Sequence, residues 1–300
     1  MELSVIICTH NPRPDYLRRV LDALKAQTLP KEEWELLLID NASKEPLAGK
    51  WDLSWHPRGR HILESQLGLT HARLCGIKES SCELLVFADD DNVLFADYLE
   101  ECLQIAKAWP VLGAWAGQHF PEFEGGTPSE KWKVDQWTNT LSRDLWSNNY
   151  DPRVTPYGAG VCVCKKVALK YAELAGSDPL RQKLGRTGSG LNGCEDMDMA
   201  YVACDLGLGL GRFVCLKLHH LIPKGRNNDD YLLRLSEGSG YSQVILDALR
   251  GIKTSKTRRI DRIANFYKRL FLNPMERRMA LASETGRTRA INELKMNSRQ

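Results

Sequence analysis

Leu84-Leu85-Val86-Phe87-Ala88-Asp89-Asp90-Asp91-Asn92 sets five apolar residues directly against three consecutive carboxylates. A short uninterrupted apolar run is the pattern of a strand buried on both faces of a parallel sheet. The acids cannot share that burial, because like charges repel and each is costly to desolvate alone. They belong at the carboxyl edge of the sheet, where open α/β folds bind ligands. Alternate carboxylates there, Asp89 and Asp91, suit a hard divalent cation, Mn²⁺ or Mg²⁺, that keeps positions free for phosphate oxygens. The competing reading is a helix cap, since Asn92 and Asp97 precede the helical stretch Tyr98 to Trp109. Capping accounts for one or two acids, not three.

The same logic orders the chain around this strand. Leu3 to Cys8 is a β-branched, apolar run that ends in the breaker-rich Thr9-His10-Asn11-Pro12-Arg13-Pro14. From Asp15, apolar residues at Tyr16-Leu17, Val20-Leu21 and Leu24 recur at helical spacing, and Trp34 to Ile39 is a second buried strand stopping at Asp40-Asn41-Ala42-Ser43. Strand, helix, strand makes a right-handed βαβ unit and an α/β fold. Trp51 to His61 reads as a loop, and Gly68-Leu69-Thr70-His71-Ala72-Arg73 opens a helix. Further strands are expected at 111–117, 157–164 and 212–218, with helices at 165–175 and 197–206. The stretch 118–156 is polar and aromatic, a functional loop region, with at least two of Trp132, Trp137 and Trp146 expected in the core.

The chain of 300 residues is 43% hydrophobic, enough for a substantial core. Its net charge of +3 conceals an asymmetry: residues 251–300 hold 13 Lys and Arg against 4 Asp and Glu, which leaves the first 250 residues at −6. Of nine cysteines, Cys8 falls in a predicted strand and Cys75, Cys102 and Cys204 in helix-like stretches, with no disulfide or zinc spacing; there is no leader-like start, and no apolar run is long enough to cross a bilayer. These features lead us to expect a soluble, cytoplasmic protein.

Taken as one rim, the loop-borne polar residues suggest a reaction. Asp89 and Asp91 would hold the cation against a diphosphate, Arg73 and Arg226 offer forked donors to the same anion, and Asp40 could accept from a base N–H. A second acid, at Cys194-Glu195-Asp196, could take a proton from an attacking hydroxyl. That combination describes group transfer from a nucleotide diphosphate to an alcohol, with charge on the leaving group stabilised as it develops.

Ser4-Val5-Ile6-Ile7-Cys8-Thr9-His10-Asn11-Pro12 resembles the opening V-I-x-T-x-N-R of family 2 glycosyltransferases, and Leu38-Ile39-Asp40-Asn41-Ala42-Ser43 their V-D-[DN]-x-S. Gly68 to Gly76 is similar to G-x-x-x-A-R-N-x-G, Phe87 to Asp91 to the D-x-D element, and Glu195-Asp196 to the E-D element, all in the family's order. The resemblance implies a GT-A fold and inversion at the anomeric carbon. By position, it implies that Thr9, Asn11 and Asp40 contact the nucleoside end of the donor, Arg73 and Asp90 the nucleotide sugar, and Asp89 the ribose or metal. It further implies that Asp91 binds the metal, that Asp196 is the general base with Glu195 in support, and that His219 completes the metal site. His220 is the rival, since one residue of slippage exchanges the faces of a strand. Leu74 departs from A-R-N, and no Q-x-x-R-W follows Asp196, so a single sugar per encounter is expected rather than a polymer.

The expected organisation is a GT-A domain over 1–226, with a nucleotide half, 1–117, and an acceptor half, 118–226, followed by a helical basic extension, 227–300. The donor would be a nucleotide-diphosphate sugar, with uracil the favoured base, and the acceptor a saccharide or lipid-linked hydroxyl. Residues 256–271 combine apolar residues at helical spacing with Arg and Lys, which suits either peripheral contact with an anionic membrane or packing on the acidic body. No nucleic-acid-binding module is present. The alternative to an enzyme is a catalytically silent GT-A domain serving as a scaffold.

Overall fold

The computed structural model describes residues 2–252 and 272–297. The described chain divides into two compact units, Met1–Ser177 with Asp196–Lys224, and Asp178–Glu195 with Gly225–Gln300. The glycine-rich stretch before Asp196 therefore joins the C-terminal residues rather than the acceptor half in which the sequence placed it.

The first unit is built on a nine-stranded sheet. Strand β1 (Leu3–Thr9) is buried throughout, and helix α1 (Pro14–Lys25) covers it with Tyr16, Leu17, Val20, Leu21 and Leu24. Strand β2 (Trp34–Asn41) is equally buried, whereas β3 (Gly59–Glu64) is a half-exposed edge. Its mixed side chains and a 70% exposed Leu63 hide it from hydrophobic patterning, which read the region as loop. There follow α2 (Leu69–Glu79), β4 (Leu84–Asp89), the three-residue β5 (Asn92–Leu94), α3 (Tyr98–Ala108) and the long β6 (Leu112–Phe123). Short elements α4 (Lys131–Asp135) and β7 (Leu145–Ser147) precede β8 (Val161–Cys164) and α5 (Lys165–Ser177). Helix α6 (Pro179–Gln182) lies in the second unit, α7 spans Glu195–Asp205, and β9 (Gly209–Ile222) is the last strand.

Strand order is β3-β2-β1-β4-β8-β6-β9-β5, with β7 also on β9. Pairing is parallel from β3 to β4 and again between β6 and β9, while β8, β5 and β7 run antiparallel to their neighbours. The parallel register brings Thr9 level with Asp40 on one side, and Cys8 level with Asp89 on the other. Three chain segments thus deliver their first polar residues to one edge.

In the second unit, α8 (Asp229–Leu249) packs on α9 (Pro274–Asn297). Their backbones approach closely enough that a Cβ at Gly240 would meet the Ser283 carbonyl, and one at Gly286 the Glu237 carbonyl. The glycine-rich stretch is fastened to α8, with Gly193 N–H donating to Ser242 Oγ at 3.0 Å and Arg234 donating to the Ser189 carbonyl at 2.6 Å. No described helix is long and apolar enough to cross a membrane. The segment 256–271 lies outside the described residues.

Gly117 sits where the β6·β9 register shifts, and a Cβ there would run into the Leu216 carbonyl. Gly117→Ala is expected to cost about 2–3 kcal/mol through overpacking, lowering the melting temperature by roughly 5–10 °C in a thermal unfolding experiment.

Candidate functional site

At the carboxyl edge, two loops are tied to each other before any ligand arrives. Asn11 N–H donates to Ser43 Oγ at 2.9 Å, and Lys44 N–H donates back to Asn11 Oδ1 at 2.9 Å. The tight approach puts Asn11 and Ala42 in the left-handed region, at φ 48° and 53°, which Asn accepts more readily than most side chains. Asp40, 5% exposed, accepts from Ser43 N–H and Leu47 N–H, both at 3.0 Å, so it closes its own loop. Its neighbour Asn41, which sequence reasoning passed over, fixes the third loop: Oδ1 accepts from Gly68 N–H at 2.8 Å and Nδ2 donates to Gln66 O at 2.7 Å. A lone amide after a strand carries no signal for that role.

The three acids turn three ways. Asp89 ends β4 and lies 3.6 Å from the Arg73 guanidinium, which is buried and stacks near Phe87. Asp90 accepts the Thr9 hydroxyl. Asp91 is 5% exposed, with Asn92 Nδ2 donating to its Oδ1 at 2.9 Å and the His220 ring 3.7 Å from its Oδ2. The strand ends at Asp89, and the chain turns through Asp90 and Asp91 before returning as β5.

That return also separates the histidines. β5 pairs with β9 so that Asn92 faces His220 and Val93 faces His219. His219, the expected metal ligand, packs its ring 5.1 Å from Phe95 and 6.4 Å from Phe120. The structure therefore places His220 beside Asp91 and His219 on the opposite face. Trp137 lies edge-on to His220 at 5.7 Å. None of Trp132, Trp137 and Trp146 is buried, and Trp146 is 55% exposed, so the expected core tryptophans are surface and site-lining residues instead.

Asp196 enters from α7. Its Oδ2 accepts from Gly158 N–H at 2.6 Å and its Oδ1 from Met197 N–H at 2.8 Å. Each oxygen keeps further acceptor capacity. Gly158 also adjoins Arg73: a Cβ on it would lie 2.9 Å from Arg73 Nη2 and 3.0 Å from Asp196 Oδ2. The expected base and the expected donor-binding arginine, 123 positions apart in number, meet across one glycine. Glu195, 5% exposed, begins α7 but groups with the second unit, as does Arg226 in the 3₁₀ turn Lys224–Arg226.

Among the described residues, no three His, Cys, Asp or Glu side chains are grouped to hold a metal by themselves. Asp91 and His220 nevertheless offer a carboxylate and an imidazole 3.7 Å apart. Donors about 2.1 Å from one octahedral cation stand roughly 3–4 Å from each other. A donor set of this kind fits Mn²⁺ or Mg²⁺ provided a diphosphate supplies the remaining oxygens.

Residues 4–164, more than half of the chain, match the family described as Glycosyl transferase family 2. The chain belongs to glycosyltransferase family 2. Glycosyltransferase AglE of Haloferax volcanii is 29% identical over 145 residues, 47% of this chain and 47% of AglE. The uncharacterized protein y4gI of Sinorhizobium fredii is 23% identical over 201 residues, 66% of this chain and 20% of that protein. The matched stretches thus span about half of one relative and a fifth of the other. The crystal structure of S. aureus TarS 1–349 superposes with a TM-score of 0.55 at 14% identity, covering 97% of this chain and 81% of that one. The same TarS fragment in complex with UDP gives 0.53 at 14% identity, over 92% and 77%. The family and these structures agree with the sheet described above: the fold is GT-A.

His119, on β6, sits 6% exposed within the same unit, its pKa pushed down to about 3 by burial, with His220 and Arg212 nearby adding to the effect. It is neutral when folded and binds a proton on unfolding below its ordinary value near 6.5. Stability from this residue is therefore lost as pH falls from about 6.5 toward 3. Relative to His119→Asn, the wild-type melting temperature is expected to fall progressively between pH 7.5 and 4.5, measured by thermal unfolding across that range.

Proposed function

We propose that the chain is a metal-dependent, inverting glycosyltransferase that moves one sugar from a nucleotide diphosphate, with UDP the favoured carrier, to a hydroxyl acceptor. The observation that carries this reading is the meeting of Arg73 and Asp196 at Gly158, which places an anion-binding guanidinium and an exposed-edge carboxylate on one rim. Membership of glycosyltransferase family 2 and the UDP-bound TarS neighbour support it.

In this reading Asp196 takes the proton of the acceptor hydroxyl, whose oxygen forms the new bond to the anomeric carbon while the bond from that carbon to the diphosphate oxygen breaks. The Gly158 and Met197 amides hold the carboxylate in place for that transfer. Arg73, with Asp89 beside it, binds the departing diphosphate. Asp91 and His220 would hold Mn²⁺ or Mg²⁺, which when bound neutralises charge on the leaving group. Thr9, Asn11, Asp40 and Asp90 shape the nucleoside end, the two loops being already braced against each other. The acceptor belongs to surface polysaccharide or glycolipid assembly in this proposal.

Titration calorimetry with UDP, with and without Mn²⁺, separates the roles. Asp91→Ala and His220→Ala are expected to lose metal-linked UDP binding by at least tenfold, with His219→Ala near wild type. Asp196→Asn should keep UDP binding within about threefold yet lower transfer by roughly 10²–10⁴-fold. Equal loss of binding in Asp91→Ala and Asp196→Asn would remove the assigned division of labour.

A further inference from the structure

Arg212 on β9 is an electrostatic anomaly. It is 7% exposed, and among the described residues no carboxylate pairs with it. Its guanidinium donates to the Arg153 carbonyl at 3.1 Å and to Asn139 Oδ1, and lies 5.3 Å from the centre of the Tyr157 ring. All three partners are neutral, whereas a buried cation is ordinarily offset by an anion. Burial accordingly pushes its pKa down.

The anomaly is not confined to one side chain. Arg212 Nε, Asn139 Nδ2 and His119 Nε2 are all buried without a hydrogen-bond partner among the described residues. The three belong to one cluster: His119 and Asn139 exchange backbone hydrogen bonds at 2.9 and 3.2 Å, Asn139 Oδ1 faces Arg212, and Tyr157 packs 5.9 Å from His119 while covering Arg212. Because Arg212 can only donate, the amide of Asn139 must present its oxygen to it, which leaves Nδ2 as the spare donor. His119, kept neutral by burial, carries one N–H and one acceptor nitrogen, and its buried Nε2 has no hydrogen-bond partner among the described residues. Two donors, one of them cationic, and a neutral ring nitrogen match an anionic group with a neighbouring hydroxyl. Tyr157, 44% exposed and outside any helix or strand, lays its ring beside both Arg212 and His119. The next residue is Gly158, whose amide holds Asp196.

We infer that Arg212, Asn139 and His119 form a subsite, covered by Tyr157, for a carboxylate or phosphate group on the saccharide acceptor. The inference rests on the glycosyltransferase reading, which makes the side next to Asp196 the acceptor side. Tyr157 must swing away for the anion to reach Arg212 Nε, and this cover belongs to the loop whose Gly158 amide holds the base.

Calorimetry on the full chain with glucuronate, glucose 6-phosphate and glucose tests it, with UDP affinity in the same samples reporting separately on the donor site. The two anionic sugars are expected to bind at least tenfold more tightly than glucose, and Arg212→Gln to bring all three within about threefold while UDP affinity stays within twofold. Asn139→Asp keeps the shape and supplies the missing counter-ion, so it should raise the melting temperature and abolish the preference even if Arg212→Gln fails to fold. Equal binding of charged and neutral sugars by the wild type would overturn the inference. So would a preference that survives Asn139→Asp, or one that appears only for UDP-glucuronate over UDP-glucose, which would put the charge on the donor.

Discussion

The pairing of three residues, Asn92 to Leu94, with the end of β9 governs the chemistry available at this site. The Leu221 N–H donates to the Asp91 carbonyl at 2.9 Å and the register sets Asn92 against His220. A strand alternates its faces with period two, so that single register brings His220 to Asp91 and sends His219 against Phe95 and Phe120. The same turn points Asp89 toward Arg73 and Asp90 toward Thr9. Three identical side chains in a row acquire three environments because the backbone reverses beneath them.

Around that turn, the loops of the edge are satisfied internally before they meet a ligand. The buried backbone N–H groups at Leu47 and Gly68, and the half-buried one at Ser43, find Asp40 and Asn41 rather than water. An unpaired buried amide costs about 1–3 kcal/mol, so these side chains rigidify the rim as well as line it. The amino end of the sheet shows the same economy, with buried Glu35 accepting from Ser4 Oγ and Ser81 N–H, each at 2.6 Å. The set at Arg212, Asn139 and His119 contrasts with these braced loops: three buried polar atoms without a hydrogen-bond partner among the described residues gather in one cluster, beside the loop that holds Asp196.

The charge asymmetry of the sequence has a partial counterpart in the structure. In the first unit the exposed pair Arg19 with Glu122 joins α1 to β6 and Arg13 with Glu124 joins the residues flanking them, while in the second Lys183, just after α6, pairs with Glu293 on α9. Exposed pairs of this kind contribute little each. The close helix contact at Gly240 and Gly286 is the stronger organiser of the second unit, since it depends on backbone approach that any larger residue would block.

The sequence by itself determined the α/β class, the strands from Leu3, Trp34 and Leu84, and the family, because buried parallel strands are written as apolar runs and their ends as polar ones. It also named Asp196, Arg73 and the three acids, residues whose chemistry is unusual wherever they fall. It missed β3, whose exposed edge lacks the apolar pattern, and it put Trp132, Trp137 and Trp146 partly in the core. Only tertiary structure decided which histidine approaches Asp91, that Asp40 closes its own loop, and that residues 178–195 join the C-terminal unit. Those outcomes depend on register and on contacts between segments far apart in the chain, and neither leaves a local imprint on the order of the amino acids.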